Sequence, residues 1–125
     1  MAGKLRIWRI YVGADGKSRL DQIDITMNAN AHGEASQLFS GKGVQVTRQQ
    51  PGHLASWHPA PRRQLIATLS GEAEIETGDG QILKSRPGVI HLVEDVHGQG
   101  HITRVTGTEE RVSVFMPLDE DSKLV

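Results

Sequence analysis

The sequence contains no cysteine, and it is poor in other features that would direct a functional interpretation. Without cysteine the chain has no disulfides, no thiolate metal ligands and no thiol nucleophile. Its 14 Lys and Arg nearly balance its 15 Asp and Glu, which argues against a nucleic-acid or membrane partner. It also lacks a signal-peptide block and any run of 18 apolar residues. We therefore expect a cytoplasmic protein whose fold depends on core packing alone.

Helical periodicity is missing as well, and short strand-like runs separated by Gly and Pro turns take its place. The 125 residues suit a single domain. We expect N-terminal strands over 4–27, with the second strand from Ile23 onward, a long loop over 28–43, a core of strands over 44–118 and a frayed tail over 119–125. Leu38 and Phe39 should pack from the loop against the body. The pattern predicts an all-β antiparallel sandwich or barrel.

The stretch from Pro51 to Gly71 carries the chemistry. Gly52 is followed after five residues by His58, Ala60 comes two positions later, Gln64 four after that, and Gly71 closes the pattern. This spacing resembles the first motif of the cupin superfamily, GxxxxxHxHxxx(x)ExxxxxxG, with Ala60 replacing the second histidine and Gln64 replacing the glutamate. The resemblance implies an RmlC-like jelly-roll barrel, a double-stranded β-helix, with a divalent metal inside it. Residues 58, 60 and 64 share one parity, so they can face one interior.

The second cupin motif supplies one more histidine, and the chain offers His91 or His101 for it. Two strands must separate the motifs, and only the register ending at His101 leaves room for both, so we choose His101. For His91 the alternative is a structural histidine that hydrogen-bonds a neighbour inside an apolar strand. The combination WHxAPRRQ and EDxxGxGH further resembles one group of small single-domain cupins of unassigned activity.

The predicted metal ligands are His58, Gln64 and His101, holding Fe, Mn, Zn or Ni. A neutral amide oxygen is a poorer metal ligand than a carboxylate, so the site is expected either to bind a metal weakly or to bind none. Asp95 or Glu94 could supply the missing carboxylate, or could simply solvate a turn.

Without a metal, His58 or His101 would act as general acid or base while Gln64 donates to an oxyanion. We assign Arg62, Trp57 and Asp95 to substrate binding, with packing as the alternative for Trp57 and a solvated rim for Arg62.

The function that the resemblance implies is an enzyme of the lyase, isomerase or dioxygenase type, acting on a small polar organic compound inside the barrel. The alternatives are a binding or sensor module and a barrel that serves mainly to dimerise. The strand QLIATL is apolar on both faces, which indicates either burial on each side or a partner subunit. Because cupins commonly pair through such strands, we expect a homodimer.

Overall fold

The computed structural model describes residues 3–125, and they form eleven β-strands without a helix. No segment of these residues is a helix able to cross a membrane. The strands are β1 (Gly3–Val12), β2 (Ser18–Asn30), β3 (Gly33–Ala35), β4 (Gln45–Gln49), β5 (Leu54–His58), β6 (Gln64–Ser70), β7 (Glu72–Glu76), β8 (Ile82–Ser85), β9 (Ile90–Val93), β10 (His101–Thr106) and β11 (Arg111–Pro117). From β4 onward they coincide with the alternating runs between Gly and Pro turns, as predicted.

Two sheets face each other. One has the order β3-β2-β1-β9-β6-β11-β4 and the other the order β5-β10-β7-β8. The last eight strands therefore interleave as 4-11-6-9 against 5-10-7-8, the order of a jelly roll built from two Greek keys. The predicted all-β jelly roll is thus confirmed by its own strand order.

The N-terminal strands extend the larger sheet, because β1 pairs in parallel with β9 and antiparallel with β2. The predicted second strand is too short, since β2 begins at Ser18 and runs to Asn30. The predicted loop over 28–43 is correspondingly too long. Its first residues form a hairpin of β2 with β3, because extending the β1–β2 ladder satisfies their backbone polar groups. Of the apolar pair in this segment, Phe39 packs on the core but Leu38 is 99% exposed.

Part of the outer face of the larger sheet is covered by the chain itself. Leu65 of β6 packs there with Ile7, Ile25, Leu92 and Leu124. The expected frayed tail is therefore wrong, since Leu124 is buried in this cluster. Arg63 also donates hydrogen bonds to the carbonyl oxygens of Asp119 and Ser122. The apolar outer face of β6 is thereby only partly explained within one chain, since Leu65 is buried whereas Leu69 on the same face is 58% exposed.

Candidate functional site

A cavity of about 490 Å³ lies between the two sheets of the jelly roll. Its wall is built from alternate residues of facing strands, as expected when successive side chains point to opposite faces. Thus β6 contributes Gln64 and Ile66, β9 contributes His91 and Val93, and β10 contributes His101 and Thr103. The cavity is the barrel interior to which the sequence assigned the site.

A β-bulge turns His58 into this cavity. Strands β5 and β10 pair His58 with His101 but Ala55 with Thr103, so β5 has one residue more than β10 over this stretch. Such an extra residue breaks the alternation and re-aims the following side chain. Ala55 and His58 consequently both line the cavity, whereas Trp57 does not and is 39% exposed. The structure therefore gives the predicted substrate-binding residue Trp57 no contact with the cavity.

The two predicted histidines meet across this bulge. The ring centroids of His58 and His101 lie 4.7 Å apart. The Nδ1–H group of His58 donates to the carbonyl oxygen of Ser56 at 2.6 Å, and that of His101 donates to the carboxylate of Asp95 at 2.5 Å. Because each Nδ1 faces an oxygen that accepts, the neutral rings carry their protons there. Both Nε2 atoms therefore keep a free lone pair.

Asp95 lies behind His101 rather than on the cavity wall. Its side chain is fully buried, and its Oδ1 atom has no hydrogen-bond partner. Burial of a carboxylate is costly unless it is paired, and His101 is the pairing group. Asp95, predicted to bind substrate, is thus placed to orient the imidazole that faces the cavity. Glu94 instead pairs with Arg63 and Arg9 and contributes nothing to the cavity wall.

Gln64 and Arg62 are joined to each other at the cavity wall. The Arg62 Nε–H donates to Gln64 Oε1 at 3.1 Å, and its Nη2 donates to Gln45 Oε1 at 3.1 Å. Gln64 is 2% exposed, whereas Arg62 is exposed at the rim. Since a guanidinium only donates, it fixes the amide oxygen of Gln64 and leaves the amide Nε2–H₂ group as donor. The predicted parity of Arg62 and Gln64 is correct in spite of the two neighbouring prolines.

His91 also lines the cavity, although the sequence favoured a structural role for it. The ring is 1% exposed and its Nδ1 has no hydrogen-bond partner. Burial, with smaller effects from the Arg111 and His101 charges, lowers the pKa of His91 to about 3. His91 is therefore a neutral imidazole at physiological pH, and the hydrogen bond expected for its Nδ1 is missing.

Arg111 is the functional candidate that the sequence reasoning missed. It is 2% exposed, and it lines the cavity from the first residue of β11. Burial lowers the pKa of its guanidinium to about 10. The available signal is its parity, since Arg111 shares the face of Ser113 and Phe115, which also point inward.

The donor set does not fit a tightly held divalent cation. Its three candidates are two imidazoles and one amide oxygen, and that oxygen already accepts from Arg62. Residues 3–125 contain no group of three or more His, Asp or Glu side chains arranged to hold a metal ion. Two arginines and no carboxylates line the cavity, which disfavours a cation electrostatically. The arrangement instead suits proton transfer and anion binding.

No family model matches this sequence, and no curated protein is similar to it. Solved structures do resemble its fold. A conserved protein of unknown function from Streptococcus pyogenes is 18% identical with a TM-score of 0.47, over 67% of this chain and 71% of that one. An RmlC-like cupin from Desulfovibrio desulfuricans is 13% identical with a TM-score of 0.43, over 90% and 81%.

The epimerase RmlC from Legionella pneumophila, in complex with dTDP-4-keto-L-rhamnose, is also similar in fold. It is 10% identical with a TM-score of 0.46, over 90% of this chain and 72% of that one. Two of the three neighbours thus carry the cupin or RmlC description. Likenesses at this level do not bear on the reaction, so the chemistry must be argued from the cavity itself.

Proposed function

We propose that the cavity is the active site of an enzyme that transfers protons on a small polar organic compound, as an isomerase or a lyase does. The observation that carries this proposal is the pair of His58 and His101, with one imidazole oriented by a buried carboxylate. A buried carboxylate whose only partner is one imidazole is costly to keep for stability alone. Positioned imidazoles, by contrast, are the groups that most often serve as general acid and base.

In this proposal His101 is the general base. Asp95 is a positioning residue that fixes the tautomer of His101 and stabilises the imidazolium that forms on proton uptake. His58, whose ring centroid lies 4.7 Å from that of His101, is the second acid or base, so that one ring accepts a proton from the substrate while the other, in its protonated form, delivers one. Abstraction from carbon next to a carbonyl group and return of the proton complete an isomerisation. Loss of a leaving group instead completes an elimination.

Gln64 would stabilise the negative charge that develops on the carbonyl oxygen. Its amide oxygen is held by Arg62, so its Nε2–H₂ group is free to donate into the cavity that it lines. A donor fixed before the reaction stabilises an oxyanion without reorganisation at the moment of proton transfer. Dioxygenase chemistry, the third type that the resemblance implies, has no counterpart in this donor set.

The test is solvent hydrogen exchange. Small 2-oxo acids, keto sugars and hydroxy acids are incubated with the protein in D₂O, and the loss of C–H signals is followed by ¹H NMR. We expect exchange next to the carbonyl of at least one compound, reduced by about 10² or more in His101→Gln. The control is His97→Gln, which removes an exposed histidine in the turn before Gly98.

Two results would count against this function. Exchange that is equally fast in His101→Gln would show that the imidazole is not the base. Compounds that bind in the cavity without exchanging would instead support the alternative of a binding or sensor module.

A further inference from the structure

The cavity wall has an unbalanced charge. Its ionisable members are two arginines and three histidines, and no Asp or Glu lines it. The whole chain carries a formal charge of −1, so this imbalance is local to the barrel. Arg62 lies at the exposed rim, but Arg111 is buried. Water compensates the charge of Arg62 at the rim, whereas the charge of the buried Arg111 must be compensated by neighbouring groups.

The neighbours of Arg111 are polar but neutral. Its Nη1 donates to Gln49 Oε1 at 3.1 Å, and its Nη2 donates to the hydroxyl oxygens of Thr68 at 3.3 Å and Ser85 at 3.2 Å. Its Nε has no partner. Among residues 3–125 no carboxylate lies within 4 Å of this guanidinium. Arg111 is thus a buried cation without a counter-charge, facing a cavity.

We propose that the cavity binds a small organic carboxylate, whose carboxylate group sits against Arg111. This inference rests on the proposed function and names its substrate class. A buried charge without a partner is strongly unfavourable, whereas a ligand of opposite charge satisfies it and gains charge-assisted hydrogen bonds. The bond count agrees, since a guanidinium has five N–H donors and the protein provides three bonds.

A carboxylate matches this subsite better than a phosphate does. One carboxylate carries a single negative charge and neutralises one guanidinium. A phosphate monoester carries about −1.5 to −2 at neutral pH, and beside Arg111, the one buried guanidinium of the wall, it would leave excess negative charge inside the barrel. His91, which also lines the cavity, adds no positive charge against it, because burial lowers its pKa to about 3.

The remainder of the ligand meets an apolar wall. Ile66, Val93 and Phe115 form one cluster with Ala60, and all four line the cavity. The volume of about 490 Å³ is in the range of small-molecule sites. A carbon skeleton between Arg111 and the paired imidazoles would therefore be held by both charge and apolar contact.

Benzoate and benzamide are suitable probes because they share shape and differ in charge. Their affinities are measured by ¹H–¹⁵N NMR titration of the intact chain, together with inorganic phosphate. We expect wild type to bind benzoate at least about tenfold more tightly than benzamide. In Arg111→Met this preference should fall to within about twofold. Arg111→Lys keeps the charge and should retain a reduced preference.

The matched control is Arg48→Met, which removes an arginine of β4 whose side chain is 69% exposed. It should leave the benzoate preference unchanged. Equal affinities in wild type, no benzoate binding at millimolar concentration, or a preference that survives in Arg111→Met would each overturn the inference. Tighter binding of phosphate than of benzoate, lost in Arg111→Met, would overturn the carboxylate assignment in favour of a phosphoryl group.

The two proposals fail separately. If benzoate binds as expected but no compound exchanges its hydrogen, the proton-transfer function is wrong and the carboxylate subsite stands. If exchange occurs only on uncharged compounds and Arg111→Met does not affect it, the function stands and the carboxylate subsite is wrong.

Discussion

Acidification should destabilise the fold through His91. In the unfolded chain its pKa is the ordinary 6.5, whereas burial lowers the pKa in the fold to about 3. The unfolded state therefore binds a proton below pH 6.5 that the native state does not bind until about pH 3, so stability falls as pH drops through that window. At 1.36 kcal/mol per pKa unit the loss reaches about 2 kcal/mol at pH 5 and about 3 kcal/mol at pH 4. The full effect is about 5 kcal/mol.

The assay compares urea unfolding of wild type and His91→Leu between pH 7.5 and pH 4. The substitution removes the titrating group, so the free-energy difference between the two proteins should change with pH by the amounts above, whatever constant offset repacking adds. His32→Gln, at an exposed turn position, is the control and should follow wild type. A difference between wild type and His91→Leu that does not vary with pH would show that the buried ring accepts its proton readily, and would refute the reasoning.

Further predictions concern the turn before His101, the core and the ligand set. Gly100 has a φ of +78°, and a Cβ there would overlap the His58 carbonyl group, whereas a Cβ at Gly107, with a φ of +74°, would meet open space. Gly107→Ala should therefore cost roughly 1 kcal/mol of unfolding free energy, and Gly100→Ala several times as much. Similar urea midpoints for the two variants would contradict this. Leu92→Ala removes a 2%-exposed core side chain and should cost about 2–5 kcal/mol by urea unfolding; a loss below about 1 kcal/mol would indicate a loosely packed core. Gln64→Glu supplies the missing carboxylate, so this variant should bind Zn²⁺ at least about tenfold more tightly than wild type in a calorimetric titration. Equal affinities would mean that residue 64 does not face a metal held by His58 and His101.

The strands from β4 onward could be predicted because Gly and Pro turns separate them at short intervals, even where a strand such as β6 is apolar on both faces and does not alternate. The N-terminal region and the tail could not. Residues 18–22 and 28–35 lack a clear period, and they are strands because a long partner, β1, and the β2–β3 hairpin pair their backbone. The tail reads as charged, yet Leu124 packs on an apolar sheet face and Arg63 donates to the carbonyl oxygens of Asp119 and Ser122.

At the site, spacing brought His58, Gln64 and His101 together on one cavity wall, where the structure has them. The bulge between Ala55 and His58 could not be predicted from the sequence. Trp57 itself follows the ordinary alternation, since its neighbour His58 faces the cavity and Trp57 is 39% exposed. The pairing of His101 with Asp95 could not be predicted either, since the two residues meet only after the Gly-rich turn between them folds back. Arg111 was missed because the neutral partners around it come from three other strands, β4, β6 and β8, and not from its own.

The central claim is that His101 presents an unprotonated Nε2 to the cavity because Asp95 holds the proton on Nδ1. A long-range ¹H–¹⁵N spectrum of the imidazole rings at pH 8 tests it directly. The account predicts that His101 is the Nδ1–H tautomer in wild type and loses this preference in Asp95→Asn. A wild-type His101 with its proton on Nε2 would contradict the account, because that ring could neither accept a proton from a ligand in the cavity nor be positioned by Asp95.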